Sequence, residues 1–143
     1  RSRMAVPDSY FGSWTSDGHE KFDEYLAQKD IPWLIRKAIL IAGHSVTIAN
    51  LGNGRYRAEH AMMSRSAKYE FSLNEEFEIT GMDGIQHKIT VTMEGSSLVE
   101  WHTLLDKPNQ PVDKQVYSVE GGKLVQTLGD GNLSCKRFFK KKN

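Results

Sequence analysis

The sequence predicts an all-β fold, an up-and-down antiparallel barrel capped by a helix-turn-helix lid, and two observations carry that prediction. Apolar spacing is helical only between about Glu20 and Gly43. After Gly43 the chain breaks into short segments cut by glycine-rich turns at hairpin spacing. A meander of that length must manage its edges, and closure into a barrel removes them.

The elements follow in order. Phe11–Trp14 reads as a first strand. Phe22, Tyr25 and Leu26 follow the i, i+3, i+4 pattern of a helix. A second helix starts near Pro32 and stops at Gly43, residues suited to a first turn and to a C-terminal stop. Only Gln28-Lys29-Asp30-Ile31 separates the two, so they form a hairpin. Turns are expected at Gly52-Asn53-Gly54, Ser64-Arg65-Ser66, Asp83-Gly84, Gly95, Gly121-Gly122 and Gly129-Asp130-Gly131-Asn132. Between them, Ser45–Leu51, Tyr56–Met62, Lys68–Leu73, His87–Glu94, Ser97–Leu104, Lys114–Glu120 and Leu133–Lys140 read as strands. Asp106 to Asp113, with Pro108 and Pro111, is the one longer loop. Small barrels can enclose a ligand, and the helical pair is the natural lid.

Composition narrows the function. The 143 residues suit one domain, taken as residues 10–143 with the lid at about 20–43. Nineteen basic and eighteen acidic residues leave a formal net charge of +1, no global field for gripping nucleic acid. The basic tail Lys136–Lys142 reads first as solvated surface. The longest apolar run, Ala38 to Gly43, is far below the roughly 20 residues of a membrane helix. Cys135 is the single cysteine, which excludes an intramolecular disulfide and leaves the compartment open. Arg1-Ser2-Arg3-Met4 reads as an expression remnant within an N-terminal tail of residues 1–9, so the lack of a leader does not argue for a cytosolic home. His19, His44, His60, His87 and His102 lack metal-ligand spacing. No Gly-x-Ser-x-Gly nucleophile motif or phosphate loop occurs. No enzyme, metal or cofactor is expected.

Gly12-Ser13-Trp14 followed by Phe22-Asp23-Glu24-Tyr25-Leu26 resembles the signature of the intracellular lipid-binding (fatty acid-binding) protein family. Ser16 and Lys21 depart from it, where an aliphatic residue and asparagine are usual. Leu73-Asn74-Glu75-Glu76-Phe77-Glu78 is similar to the family's mid-barrel segment, and Cys135-Lys136-Arg137-Phe138-Phe139 to its last strand. The landmarks fall in order from Tyr10 to Lys142. The resemblance implies a ten-stranded β-clam, a calycin fold, holding a fatty acid or similar amphiphile, with no bond made or broken. Pro32-Trp33-Leu34-Ile35-Arg36, Gln86-His87-Lys88-Ile89-Thr90 and Val6-Pro7-Asp8 resemble the secreted nematode branch, as does the Asp106–Asp113 loop. That branch implies a secreted protein, the alternative being cytoplasmic. A monomer is expected.

In this family two arginines and a tyrosine clamp the ligand carboxylate. The resemblance places Arg137 on the last-strand arginine, Phe139 on the tyrosine and Tyr117 on the other arginine, so one clamp group of three is retained. Strand alternation independently puts Cys135, Arg137 and Phe139 on one face and Lys136, Phe138 and Lys140 on the other. The two lysines mark the solvent face, which turns Arg137 inward. A buried guanidinium needs an anion or a water network. The candidates are a ligand headgroup or an internal carboxylate such as Glu100, which alternation can place inside with His102. The expected ligand-binding set is therefore Arg137, Tyr117, Phe139, His102, Glu100 and Cys135.

Trp33, Leu34, Ala38, Ile39 and Leu40 make the second helix too apolar for a surface helix with one buried stripe. It either packs on the barrel rim or forms a portal that meets the acyl tail and touches membrane transiently, with Arg36 and Lys37 steering. Phe22 and Tyr25 read first as hairpin core and second as ligand contacts of the lid. A retinoid or lysolipid carrier, or a membrane- or protein-docking module with an incidental cavity, are the rival readings.

Overall fold

The computed structural model describes residues 5–109, 112–129 and 132–142. Arg1–Met4, Pro111 of the expected loop and the Asp130-Gly131 step of the last turn lie outside them. A short 3-10 turn at Asp8–Tyr10 leads into β1 (Gly12–Glu20), α1 (Phe22–Gln28) and α2 (Trp33–Ile41). Nine further strands follow: β2 (His44–Gly52), β3 (Arg55–Met62), β4 (Arg65–Phe71), β5 (Phe77–Thr80), β6 (Gln86–Glu94), β7 (Ser97–Leu104), β8 (Asp113–Glu120), β9 (Lys123–Gly129) and β10 (Ser134–Lys141). All ten form one antiparallel sheet in the order β4-β3-β2-β1-β10-β9-β8-β7-β6-β5, so the first and last strands pair in its interior.

Local chemistry explains the hairpins. Asn53 and Gly54 both have positive φ, the two-residue turn whose twist matches the flanking strands. The turn expected at Ser64-Arg65-Ser66 lies one residue earlier, because Met63 takes φ 58° and Met62 pairs directly with Arg65. The first strand is also longer than Phe11–Trp14. A bulge between Ser16 and His19, with Gly18 at φ 102°, bends β1 and lets it follow β10 to Glu20. Helix α2 ends at Ile41, and Ala42 is already extended (φ −74°, ψ 140°), so Gly43 serves the entry to β2 and not a left-handed helix stop.

Strands β4 and β5 stand at the two ends of the sheet, with no ladder between them among the described residues. Rings close that seam: Phe77 of β5 lies 5.6 Å from Tyr69 and 6.2 Å from Phe71, both of β4. The end of the barrel away from the helices is filled. Tyr10 and Trp14 are each 1% exposed. Trp14 Nε1 donates to the Tyr10 carbonyl, and the Tyr10 hydroxyl donates to the carbonyls of Ser96 and Tyr117. Burying such rings contributes on the order of 2–3 kcal/mol each.

A second, smaller core lies under the helices. Phe22, Tyr25 and Leu26 of α1 pack on Leu128 and Cys135, with Ile39 and Leu40 against them. Asp23 ties the helices together by accepting from Arg36 Nε and Lys37 Nζ, each at 2.9 Å.

Candidate functional site

Along six of the ten strands the inward residues change character in the same direction. Nearest the helices they are polar: His44, His60, Tyr69, His87, His102, Gln115, Gln126 and Arg137, all facing one cavity. Two residues further along those six strands they become Val46, Ala58, Phe71, Ile89, Leu124 and Phe139, members of the apolar core. Period-2 alternation fixes which residues face inward, and residue identity grades the interior from polar to apolar.

The cavity holds about 270 Å³ beneath α1. Phe22, Leu26, Met62, Ile79 and Leu128 supply its apolar wall. Through Tyr25, Asp83, His87, His102 and Gln115 it shares a boundary with an outer hollow of about 800 Å³ beside α1. Below it only about 10 Å³ remains among Val46, Ile48, Phe71 and Leu98. The enclosed space therefore lies in the helical half, with a solid floor beneath.

Arg137 is 9% exposed, and its guanidinium lies 4.5 Å from the centre of the Phe22 ring and 5.4 Å from that of Phe139. Its one side-chain hydrogen bond among the described residues, at 3.4 Å, goes to Gln126 Oε1. Gln126 Nε2 in turn donates to the Tyr117 hydroxyl at 2.9 Å. Burial pulls the Arg137 pKa down to about 10, which still leaves it charged at neutral pH. The alternative of an internal Arg137–Glu100 pair is not formed. Glu100 is 3% exposed and accepts instead from the Tyr69 hydroxyl at 2.7 Å and from His102 Nε2 at 2.8 Å. Burial acts to raise the Glu100 pKa, but those two bonds and the neighbouring imidazoles outweigh it and hold the carboxyl below its usual range.

Glu100 sits in the middle of a longer chain of contacts. Outward, His102 Nδ1 meets His87 Nδ1 at 3.1 Å, and His87 Nε2 meets the Asp83 carboxylate at 3.0 and 3.2 Å. Inward, the Tyr69 hydroxyl lies 3.4 Å from His60 Nε2, and His60 Nδ1 lies 3.1 Å from His44 Nε2. His44 Nδ1 is buried without a partner. Burial, with Arg137 nearby, pulls the His44 pKa down to about 2; burial also lowers that of His60. Burial raises the Tyr69 and Tyr117 hydroxyls well above their ordinary value, so both stay protonated.

The other expected site residues lie around this cavity in different roles. Phe139 is fully buried in the main core, under Arg137 and edge-on to His44 at 5.4 Å. Cys135 packs into the small core under α1, where burial raises its thiol to about 11. Phe22 and Tyr25 belong to that core and also line the cavity. Ile39 packs against the small core, whereas Trp33 and Leu34 face outward, 61% and 71% exposed. Reasoning from sequence passed over His44, His60, Tyr69, Asp83, His87, Gln115 and Gln126. The available signal was alternation: His44, Val46 and Ile48, or His60, Ala58 and Tyr56, share one strand face with apolar neighbours.

Comparison with known proteins bears directly on this arrangement. No family model matches the chain. Fatty acid-binding protein homolog 3 of Caenorhabditis elegans is 33% identical over 138 residues, covering 95% of this chain and 84% of that protein. Homolog 4 of the same organism is 33% identical over 141 residues, covering 96% and 97%. The chain belongs to the fatty acid-binding protein family. That is a family of carriers without enzymatic activity. Among solved structures, As-p18, described as an extracellular fatty acid binding protein, superposes with a TM-score of 0.91 at 29% identity, covering 96% of this chain and 99% of its own. The nearly closed ten-stranded barrel with two helices is the architecture of those structures.

Proposed function

We propose that the protein carries a fatty acid with its carboxylate turned inward to Arg137 and its tail running beneath α1 toward the outer hollow. One observation carries this reading: a buried guanidinium borders the cavity with two rings against it and no carboxylate of the described residues within ion-pair distance. Such a charge is costly unless an anion meets it. Gln126 and Tyr117 stand beside it as neutral hydrogen-bonding groups, in place of the clamp members this chain lacks.

Magnitudes assign the roles. Burying an acyl chain at about 0.8 kcal/mol per CH₂ contributes on the order of 10 kcal/mol gross. A charge-assisted hydrogen bond adds roughly 1.5–3 kcal/mol. The tail provides affinity, and Arg137 selects the headgroup. Helix α2 presents Trp33, Leu34, Ile35 and Ile41 to solvent, a surface suited to brief contact with a membrane during delivery. An extracellular site of action is supported by the As-p18 likeness.

Native mass spectrometry of the purified protein, followed by organic extraction, tests the cargo: free fatty acid supports this reading, and a neutral lipid favours a retinoid or lysolipid type of ligand. Arg137→Ala should weaken fatty acid binding about tenfold while leaving a fatty alcohol nearly unaffected. Equal losses for both ligands would make Arg137 a structural residue.

A further inference from the structure

The contacts from Asp83 to Glu100 can be counted in protons. Three contacts join four groups: Asp83 to His87, His87 to His102, and His102 to Glu100. Each needs one hydrogen between its heavy atoms. Ionised carboxylates bring none, and a neutral imidazole brings one N–H. Two neutral imidazoles thus supply two hydrogens for three contacts. If both carboxylates accept, Nε2 of each histidine must be protonated, and the Nδ1···Nδ1 contact at 3.1 Å then joins two bare lone pairs. One more proton resolves this, resting on His87 or on His102, because Glu100 accepts from both Tyr69 and His102 and its carboxyl is held below its usual range.

The inner branch behaves differently. From Glu100 through Tyr69, His60 and His44 there are again three contacts. Tyr69 O–H, His60 Nε2–H and His44 Nε2–H fill them with every group neutral. The leftover atom is His44 Nδ1, a bare lone pair, and it is the one buried side-chain atom without a partner among the described residues. The same count that balances the inner branch leaves the outer branch one proton short.

We propose that Asp83, His87, His102 and Glu100 form a proton-binding site coupled to the ligand site, holding one proton beyond the neutral count and binding it more tightly when an anionic headgroup enters. This rests on the fatty acid reading above. Glu100 and Arg137 line the same cavity, so a ligand carboxylate beside Arg137 adds negative charge to a space already lined by two carboxylates, Glu100 and Asp83. Retaining the surplus proton offsets that charge. Asp83 stands at the mouth with its side chain 48% exposed, which gives solvent protons a route through His87 to the interior.

Other charged and titratable groups face the chain from neighbouring elements. Asp113 is opposite His102 in the β7–β8 register, and Lys29 at the C-terminal cap of α1 and Lys114 of β8 line the same mouth. Arg65 of β4 is held on the Met82 carbonyl beside Asp83. Tyr69 and His60 lie beyond Glu100, and Tyr117 and Arg137 share its cavity. Apart from the Tyr69 bond to Glu100, none of these hydrogen-bonds to a member of the four.

The sign follows from linkage. A ligand that favours the protonated cluster takes up protons on binding, and its affinity falls as rising pH removes them. Calorimetric titration with oleate at pH 7.5, in buffers of different protonation enthalpy, should read net proton uptake, with none for oleyl alcohol. Oleate should bind roughly fivefold or more weakly at pH 9 than at pH 6. Asp83→Asn places an amide N–H against His87 Nε2 and completes three contacts without the surplus proton, so uptake and pH slope should both vanish. Glu100→Gln does the same from the other end. Oleate binding without uptake, or uptake that survives both substitutions, overturns the coupling. Side-chain ¹⁵N spectra of the free protein at pH 6 should show three hydrogens across the two imidazoles, falling to two in Asp83→Asn. Two in the wild-type protein overturns the proton site. Failure of oleate to bind at all sinks the carrier reading and the coupling together, and the ¹⁵N count still judges the proton site.

Discussion

Away from the helices, Tyr10, Trp14, Ile48, Phe71 and Val91 fill the barrel with side chains that mostly meet one another, while nearer the helices the same strands turn His44, His60, Glu100, His102 and Arg137 inward. Both halves share a backbone pattern, a register and a burial alternation. They differ in what a change of conditions can reach. Apolar packing in the floor responds to lost volume and hardly to pH. The polar half responds to protons and ligand charge, because every member is tied to a hydrogen-bonded neighbour in low dielectric. Function is built where the alternation is kept and the chemistry is changed.

Trp14→Ala attacks the first half and should show the largest effect. It removes a ring that is 1% exposed together with its bond to Tyr10, at an expected cost of about 3–5 kcal/mol in denaturant unfolding, similar at pH 5 and pH 8. A strong pH dependence of that loss would erase the distinction between the halves.

Acid stability probes the second half. The His44 pKa is depressed in the folded state to about 2, so below an ordinary unfolded value of about 6.5 the unfolded chain binds the extra proton and stability falls as pH drops. Between pH 6.5 and 4.5 this amounts to roughly 2–3 kcal/mol, ahead of most carboxylate titration. His44→Phe should flatten that limb in urea unfolding measured along the pH series. An unchanged limb would show that His44 does not stay buried and neutral.

The smallest effect belongs to the lid. Asp23→Asn weakens the links to Arg36 and Lys37, which are partly exposed, and should leave the unfolding midpoint almost unmoved. Amide exchange in α2 should nevertheless quicken, since α2 has no fully buried residue of its own. Unaltered exchange would show that packing alone holds the lid.

The barrel was legible in the sequence because turns and helix stops are local signals. Asn53-Gly54 and Gly121-Gly122 declare hairpins wherever they occur, and Phe22, Tyr25 and Leu26 declare a helix face. Arg137 was equally plain, since Lys136 and Lys140 mark the opposite side of its strand. The chain from Asp83 to His44 was not. Its members come from five different strands and one turn, and only three-dimensional register brings His87 beside His102 or His60 beside Tyr69. Trp33 was hidden for another reason. Apolar composition shows that a helix has something to cover without showing which side, and here Trp33 and Leu34 point away from the barrel.

The seam between β4 and β5 has its own consequence. Each of these strands offers one edge whose amides and carbonyls lack a strand partner, and stacked rings bridge the space. Rings can slide across one another without breaking a directional bond, whereas a ladder must rupture to open. This line along the wall is therefore where the circumference can grow or shrink at the least expense, while the β1–β10 junction is held by its ladder.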